Sequence, residues 1–99
     1  MVKVFVKKEN SNIKEILFKG HALYSDYGKD IVCAAISSIV ITTINGILSI
    51  DKGAISYIEK PNLVIKINNN SFVCDKLIEN MLNLLKELEH DYPKNIEIL

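Results

Sequence analysis

The alternation of apolar and polar side chains predicts that the chain opens with a β-hairpin. Val2, Val4 and Val6 alternate with lysine and phenylalanine residues, which is the two-residue period of a strand. A turn-forming cluster, residues 9–12, separates this run from a second apolar-polar run at Ile13 to Lys19. Two such runs joined by a short polar turn are typical of a hairpin.

Two later segments of the chain are predicted to be helices. Ile31 to Asn45 is apolar on nearly every side, and its β-branched residues favour a strand weakly. Its length and the Asn45-Gly46 stop favour a helix instead, which we expect to be the central and most buried element. A second helix runs from a Ser71 cap to about His90 and has one apolar face.

Three further strands complete the prediction. Ala54 to Glu59 and Leu63 to Asn68 flank a Lys60-Pro61-Asn62 turn, and Ile96 to Leu99 is a short last strand. The order ββαββαβ predicts an α+β fold, with two helices packed on one side of a mostly antiparallel sheet. We expect a single domain that spans residues 1–99.

Charge and apolar length limit the classes of partner. Lysine and arginine total 12 and so do aspartate and glutamate, so no broad basic field is available to hold nucleic acid or a membrane surface. The 20 uncharged residues from Ile31 to Ile50 are long enough to span a membrane. Seven of them are polar or helix-breaking, which favours a buried helix over a membrane span.

The cysteine content indicates a reducing compartment. The chain has two cysteines, Cys33 and Cys74, too few for a secreted disulfide framework. The N-terminal residues alternate like a strand and do not form the apolar core of a signal peptide. A cytoplasmic location is therefore expected.

Cys33 is the candidate nucleophile. It falls in the first turn of the predicted helix, where the helix dipole favours an anion and lowers a thiol pKa. First-turn amides of a helix have no acceptor within that helix, which suits them to bind an oxyanion. His21 lies 12 residues earlier as a candidate base, and Ser37 lies one turn later. On spacing alone, a core cysteine and a surface histidine are the more common interpretation.

The residues between His21 and Cys33 form a predicted loop that begins and ends near Gly20 and Gly28. These glycines are turn residues or hinges. Tyr24 and Tyr27 are half-buried loop anchors or the lining of a groove for an apolar peptide. Asp30 either caps the helix, which its position three residues before Cys33 favours, or orients the histidine.

Cys74 has the same helix-start position but lacks the other parts. The carboxylate of Asp75 disfavours a thiolate, and His90 is 16 residues further along the same helix, roughly 24 Å away. Cys74 is therefore predicted to be structural. The two cysteines and two histidines contain no close ligand pair, so neither zinc nor another metal is expected.

One stretch carries a specific motif, which consists of Gly20-His21-Ala22, Tyr24, Tyr27 to Ala35, and Ser37. This motif resembles the signature of the ribosomal-processing cysteine protease family, known as Prp. The resemblance implies a small, cytoplasmic, homodimeric bacterial protease without a cofactor. It also implies that Cys33 is the nucleophile and His21 its base, while Gly20, Asp30 and Ser37 have supporting roles.

The resemblance further implies a substrate. Family members remove an N-terminal extension from a large-subunit ribosomal protein of the L-twenty-seven family, after a motif rich in phenylalanine. Two alternatives remain open at this point. One is a non-enzymatic ribosome-associated or assembly factor that binds through its loop tyrosines or a sheet edge. The other is a thiol redox protein, which a disulfide between Cys33 and Cys74 would favour.

Overall fold

The computed structural model describes residues 1–20 and 31–99. The predicted positions His21, Tyr24, Tyr27, Gly28 and Asp30 lie outside the described residues. The elements follow the predicted order, and their bounds are β1 Val2–Glu9, β2 Asn12–Lys19, α1 Ile31–Ile50, β3 Ile55–Ile58, β4 Leu63–Ile67, α2 Phe72–Asp91 and β5 Ile96–Ile98.

Within the described ranges, the strands form one five-stranded sheet in the order β3-β4-β2-β1-β5. The β1–β2, β2–β4 and β3–β4 pairs are antiparallel, and β5 pairs with β1 in parallel. The opening hairpin and the mostly antiparallel sheet are therefore as predicted. The first hairpin turns through Asn10 and Ser11, both at positive φ.

One face of the sheet is buried and carries both helices. Alternate residues such as Val4, Ile16 and Ile65 are fully buried, as the two-residue period requires. They share one core cluster with Ile36 of α1 and Leu85 of α2. This confirms the prediction that two helices pack on one side of the sheet.

The two helices run in opposite directions across this face. The chain after β4 meets the hairpin end of the sheet, where the Asn70 side-chain amide donates to the carbonyl of Ile13 at 3.3 Å, and α2 begins there. The C-terminal end of α1 lies beside it, since Ile47 and Ile50 line a small cavity together with Leu77 of α2. The N-terminal end of α1 therefore lies at the opposite end of the sheet.

The prediction that α1 ends at Asn45 is wrong, because the helix continues through Gly46 to Ile50. Ile44 and Ile47 are both buried on either side of the glycine. Burying one isoleucine stabilises the fold by about 1.5–3 kcal/mol, whereas a glycine inside a helix costs about 1 kcal/mol. Tertiary packing therefore outweighs the local stop signal.

The expectation that α1 is the central and most buried element applies to only one stripe of the helix. Only six of its 20 residues are buried, because one helix can turn only one stripe toward a single sheet and a neighbouring helix. By length and composition α1 would be long enough and apolar enough to cross a membrane, a test that core helices of soluble proteins also pass. Its exposed residues are Ile31, Ala34, Ser38, Ile41, Thr42, Asn45, Ser49 and Ile50.

We expect Gly46→Ala to raise the free energy of unfolding by about 0.5–1 kcal/mol, because alanine restricts the unfolded chain and favours the helix. A Cβ atom at this position would meet nothing within 4 Å. Urea unfolding followed by circular dichroism measures the change. A lower stability in the variant would show that α1 does not pass through residue 46 as a regular helix.

Candidate active site

Cys33 lies in the first turn of α1, as the third residue of the helix. Its side chain is 8% exposed and belongs to the edge of the hydrophobic core. The next residue, Ala34, is exposed. The thiol is therefore at a boundary between core and surface, near the positive end of a 20-residue helix, where the dipole favours an anion.

Ser37 lies one turn after Cys33 on the same helix and is half-buried. Residues four apart on a helix are neighbours on one face. The structure therefore brings these two predicted site residues together. Cys33 contributes to the core cluster, and Ser37 lies at its margin.

Gly20 directly follows β2 and is under a tight steric restriction. Its φ is +128°, and a Cβ atom there would lie 2.5 Å from the carbonyl oxygen of Met1 and 3.0 Å from Cα of Val2. Side chains rarely tolerate either condition. Sequence reasoning treated Gly20 as a turn or hinge and missed this close approach of two backbone segments, because the pairing partner is far away in sequence.

The contribution of Gly20 is to direct the chain into the predicted loop. It is bonded to His21 and packs on the beginning of β1, so its conformation fixes how the chain leaves the sheet. The roles predicted for His21, Tyr24, Tyr27, Gly28 and Asp30 stay predictions, because these residues lie outside the described ranges.

Cys74 occupies the corresponding position of α2 and is a buried core residue at 2% exposure. Its backbone N–H donates to the Ser71 hydroxyl at 3.1 Å, which confirms that Ser71 caps this helix. Burial raises the pKa of the Cys74 thiol, and the neighbouring carboxylates of Asp75 and Asp51 raise it further. These causes agree with the prediction that Cys74 is structural.

The two cysteines lie at opposite ends of the helix pair. Cys74 lines a small cavity with Ile47, which is 14 residues after Cys33 on α1. At 1.5 Å per residue, about 21 Å of helix separates Cys33 from that cavity. A disulfide needs Cα atoms within about 7 Å, so this fold does not support the thiol redox alternative.

We expect Cys74 to react slowly with iodoacetamide at neutral pH, because its raised thiol pKa leaves little thiolate and its side chain is buried. Mass spectrometry of tryptic peptides should show Cys33 labelled at least tenfold faster. Both cysteines should react when the protein is unfolded in urea. Faster labelling of Cys74 in the folded protein would reverse the assignment of the two thiols.

The part of the chain that the structure describes holds no candidate metal site. Within residues 1–20 and 31–99, no three histidine, cysteine, aspartate or glutamate side chains are grouped closely enough to hold a metal ion. His90 is exposed near the end of α2, with Nδ1 3.4 Å from a carboxylate oxygen of Asp91. It serves as a second histidine against which the role of His21 is testable.

A groove of about 560 Å³ lies elsewhere, between α2 and the hairpin end of the sheet. Val6 and Ile13 line it from the sheet and Leu82 lines it from α2. Neither Cys33 nor Ser37 contributes to its walls. This groove is therefore separate from the candidate nucleophile.

Comparisons with known proteins identify the family. The family model described as "Cysteine protease Prp" matches residues 1–97. The ribosomal processing cysteine protease Prp of Mycoplasma genitalium is 31% identical over 92% of this chain and 92% of its own length. The protein of the same name from Staphylococcus aureus is 24% identical over 91% of this chain and 89% of its own length.

A solved structure shows the same fold. It is the ribosomal processing protease Prp of S. aureus in complex with a covalently linked product peptide. It superposes with a TM-score of 0.87 at 23% identity, covering 99% of this chain and 97% of that one. With the family model matched over almost the entire length, the chain belongs to the cysteine protease Prp family and is a cysteine protease.

Proposed function

We propose that this protease removes the N-terminal extension of a large-subunit ribosomal protein of the L-twenty-seven family, with Cys33 as nucleophile and His21 as general base. The observation that carries the proposal is the family match over residues 1–97, which includes the whole motif around Cys33. The position of Cys33 in the first turn of α1 supports the role of its thiolate.

The proposed chemistry follows from these two residues. His21 takes the proton from Cys33, and the thiolate attacks the carbonyl carbon of the scissile peptide bond. The tetrahedral intermediate collapses as His21 protonates the leaving amine, which departs with the C-terminal fragment. A thioester then joins Cys33 to the N-terminal fragment, and water attacks it with His21 again as base. Hydrolysis releases a carboxylate and restores the thiol.

The substrate is inferred from the relatives. These relatives are ribosomal processing proteases, and the S. aureus enzyme has been solved with a covalently linked product peptide. For this chain we expect a phenylalanine-rich cleavage motif, with Tyr24 and Tyr27 contacting its apolar side chains. We expect Ser37, beside Cys33, to orient water or substrate, and Asp30 either to cap α1 or to orient His21.

The proposed substrate also implies where the protein works. A bacterial ribosomal protein is made and assembled in the cytoplasm, and a catalytic thiol stays reduced there. We therefore propose a cytoplasmic location. No metal or organic cofactor is needed for the steps above, since the thiol and imidazole supply the nucleophile and the proton transfers.

A cleavage assay tests the substrate assignment directly. The purified chain is incubated with the precursor of the ribosomal protein and with a precursor in which the phenylalanines of the extension are replaced by alanine. We expect the first to lose its extension and the second to stay intact. Equal cleavage of both, or of neither, would contradict the substrate assignment.

We also propose that the protein is a homodimer that pairs through the exposed face of α1. This helix carries no charged residue over its full length, yet Ile31 is 70% and Ile41 54% exposed. Exposed large apolar side chains on an uncharged helix face favour an interaction site. Small side chains between them, including Ala34 and Ser38, allow two helices to approach closely.

We expect Ile41→Glu to convert the dimer to a monomer, because it would bury a charge without a partner at the interface. Sedimentation velocity measures the change. Leu84→Glu is the matched control, since Leu84 is also an exposed apolar residue, at 39%, but lies on α2. If both variants remained dimeric, or if the parent chain were monomeric, the proposed interface would be wrong.

A further inference from the structure

The face of the sheet opposite the helices carries an apolar row that runs across four strands. Phe5 pairs with Leu17, Leu17 with Val64, and Val64 with Ile58, all directly opposite in register. Phe5 is 36% and Ile58 53% exposed. With strands about 4.8 Å apart, the row is roughly 14 Å long. We name these four residues the apolar row.

Charged residues border the apolar row on both sides. One border follows the strand order through Glu97, Lys3 and Lys19. The other follows Lys7, Glu15 and Lys66. The two borders together contain four lysines and two glutamates. Their local charge is therefore +2, on a chain whose net charge is zero.

The pair formed by Lys3 and Lys19 concentrates positive charge at one border of the apolar row. The two residues are direct cross-strand partners and both are exposed. Like charges directly opposite each other on a sheet are destabilising. No ion pair to either lysine is found among the described residues, where the salt bridges join Lys76 to Glu79 and His90 to Asp91.

Nothing in the described part of the chain covers this face, since α1 and α2 both pack on the other side. We propose that it binds an acidic, amphipathic helical segment of a partner protein. Anchors at i, i+4 and i+7 of a helix span about 10.5 Å, which fits the length of the apolar row. Acidic residues on the flanks of that helix would meet the lysines of both borders.

The side-chain chemistry favours a protein segment over RNA. Base stacking needs aromatic platforms, and only Phe5 in the apolar row is aromatic. Glu15 and Glu97 stand in the two borders and would repel phosphates along a continuous strand. The charges of a helical segment lie on separate side chains and not along a continuous backbone. Such a segment can therefore place its acidic residues against the lysines and avoid both glutamates.

This surface is separate from the peptidase site. Cys33 belongs to the core on the helix side of the sheet, whereas the apolar row lies on the opposite side. The inference therefore goes beyond the proposed function and does not depend on it. Binding is measurable on a catalytically inactive chain.

The test uses a defined probe and nuclear magnetic resonance of the ¹⁵N-labelled chain. The probe is a designed helical peptide with leucine at i, i+4 and i+7 and glutamates on its flanks. A second peptide carries lysine in place of each glutamate, and oligouridylate represents RNA. We expect the acidic peptide alone to shift amide signals of β1, β2 and β4, with affinity that falls as salt is added.

Charge reversal then identifies the contact. The double variant Lys3→Glu and Lys19→Glu should weaken the peptide affinity by about tenfold, since it replaces two attractions by two repulsions. Lys86→Glu is the matched control, an exposed lysine on α2, and should change affinity less than twofold. Phe5→Ala should weaken binding several-fold without charge change. Lys66→Glu repeats the charge test at the other border if the double variant does not fold.

Several results would overturn the proposal. They are no shift at millimolar acidic peptide, shifts confined to α1 or α2, equal binding of the lysine peptide, tighter binding of oligouridylate, and equal loss of affinity in Lys86→Glu. Burial of the same face in a homodimer, seen as loss of the dimer in Phe5→Ala, would also contradict it. None of these outcomes bears on cleavage by Cys33.

Discussion

Cys33→Ala is expected to abolish cleavage of the ribosomal precursor, with a fall in kcat/KM of about a thousandfold or more. Alanine has no nucleophile, and without the thiolate the covalent route through a thioester is closed. Folding should survive, because the thiol is a small side chain at the edge of the core and is 8% exposed. Circular dichroism and urea unfolding check that condition before activity is compared.

A control variant separates chemistry from packing. Cys74→Ala removes an equally small but more deeply buried thiol at the other end of the helix pair. It should lose some stability and keep its activity at temperatures where it is folded. Activity of Cys33→Ala within tenfold of the parent chain would contradict the role of Cys33.

The same logic applies to the two histidines. His21→Ala should cost as much activity as Cys33→Ala, because base and nucleophile act as a unit and their effects do not add. His90→Ala should leave activity within twofold of the parent chain. His90 is exposed, and among the described residues its side chain contacts the carboxylate of Asp91. If His90→Ala lost activity and His21→Ala kept it, His90 and not His21 would be the general base.

Gly20→Ala is expected to have the largest effect on stability of any glycine substitution in the described chain. The backbone conformation alone costs a non-glycine residue about 1–3 kcal/mol. The new Cβ atom would also lie 2.5 Å from the carbonyl oxygen of Met1, a backbone atom that cannot move away without displacing β1. We therefore expect the free energy of unfolding to fall by about 2 kcal/mol or more.

The same substitution should reduce catalysis in the molecules that remain folded. Gly20 is bonded to His21, so moving the end of β2 moves the proposed base. A misplacement of about 1 Å can cost about 100-fold in rate, and the loss should appear in kcat. Gly46→Ala is the matched control and is expected to act with the opposite sign on stability. If Gly20→Ala were as stable and as active as the parent chain, the close approach of Gly20 to the backbone of Met1 would not exclude a side chain at this position.

The strands and the second helix were predictable because their patterns are local. The two-residue period of β1 and the single apolar face of α2 each match one layer of the final fold, and Ser71 caps α2 as expected. Sequence reasoning failed for α1. Its extension beyond Gly46 and its exposed face depend on which surfaces the sheet and α2 cover, and these contacts join residues distant in sequence.

The candidate site was predictable in part for the same reason. The difference between the two cysteines could be inferred from Asp75, an immediate neighbour, and the raised pKa of Cys74 agrees with it. The restriction at Gly20 could not be inferred, because it arises where β2 ends against the start of β1. The distance from His21 to Cys33 likewise depends on long-range packing and not on their spacing.

The most direct test of the central claim is the identity of the cysteine that a substrate-like inhibitor alkylates. The protein is treated with a peptide that carries the cleavage motif and ends in a chloromethyl ketone, and the modified residue is located by mass spectrometry of tryptic fragments. We predict one adduct per chain, on Cys33, and none in His21→Ala under the same conditions. An adduct on Cys74, or equal labelling of both cysteines, would contradict the account.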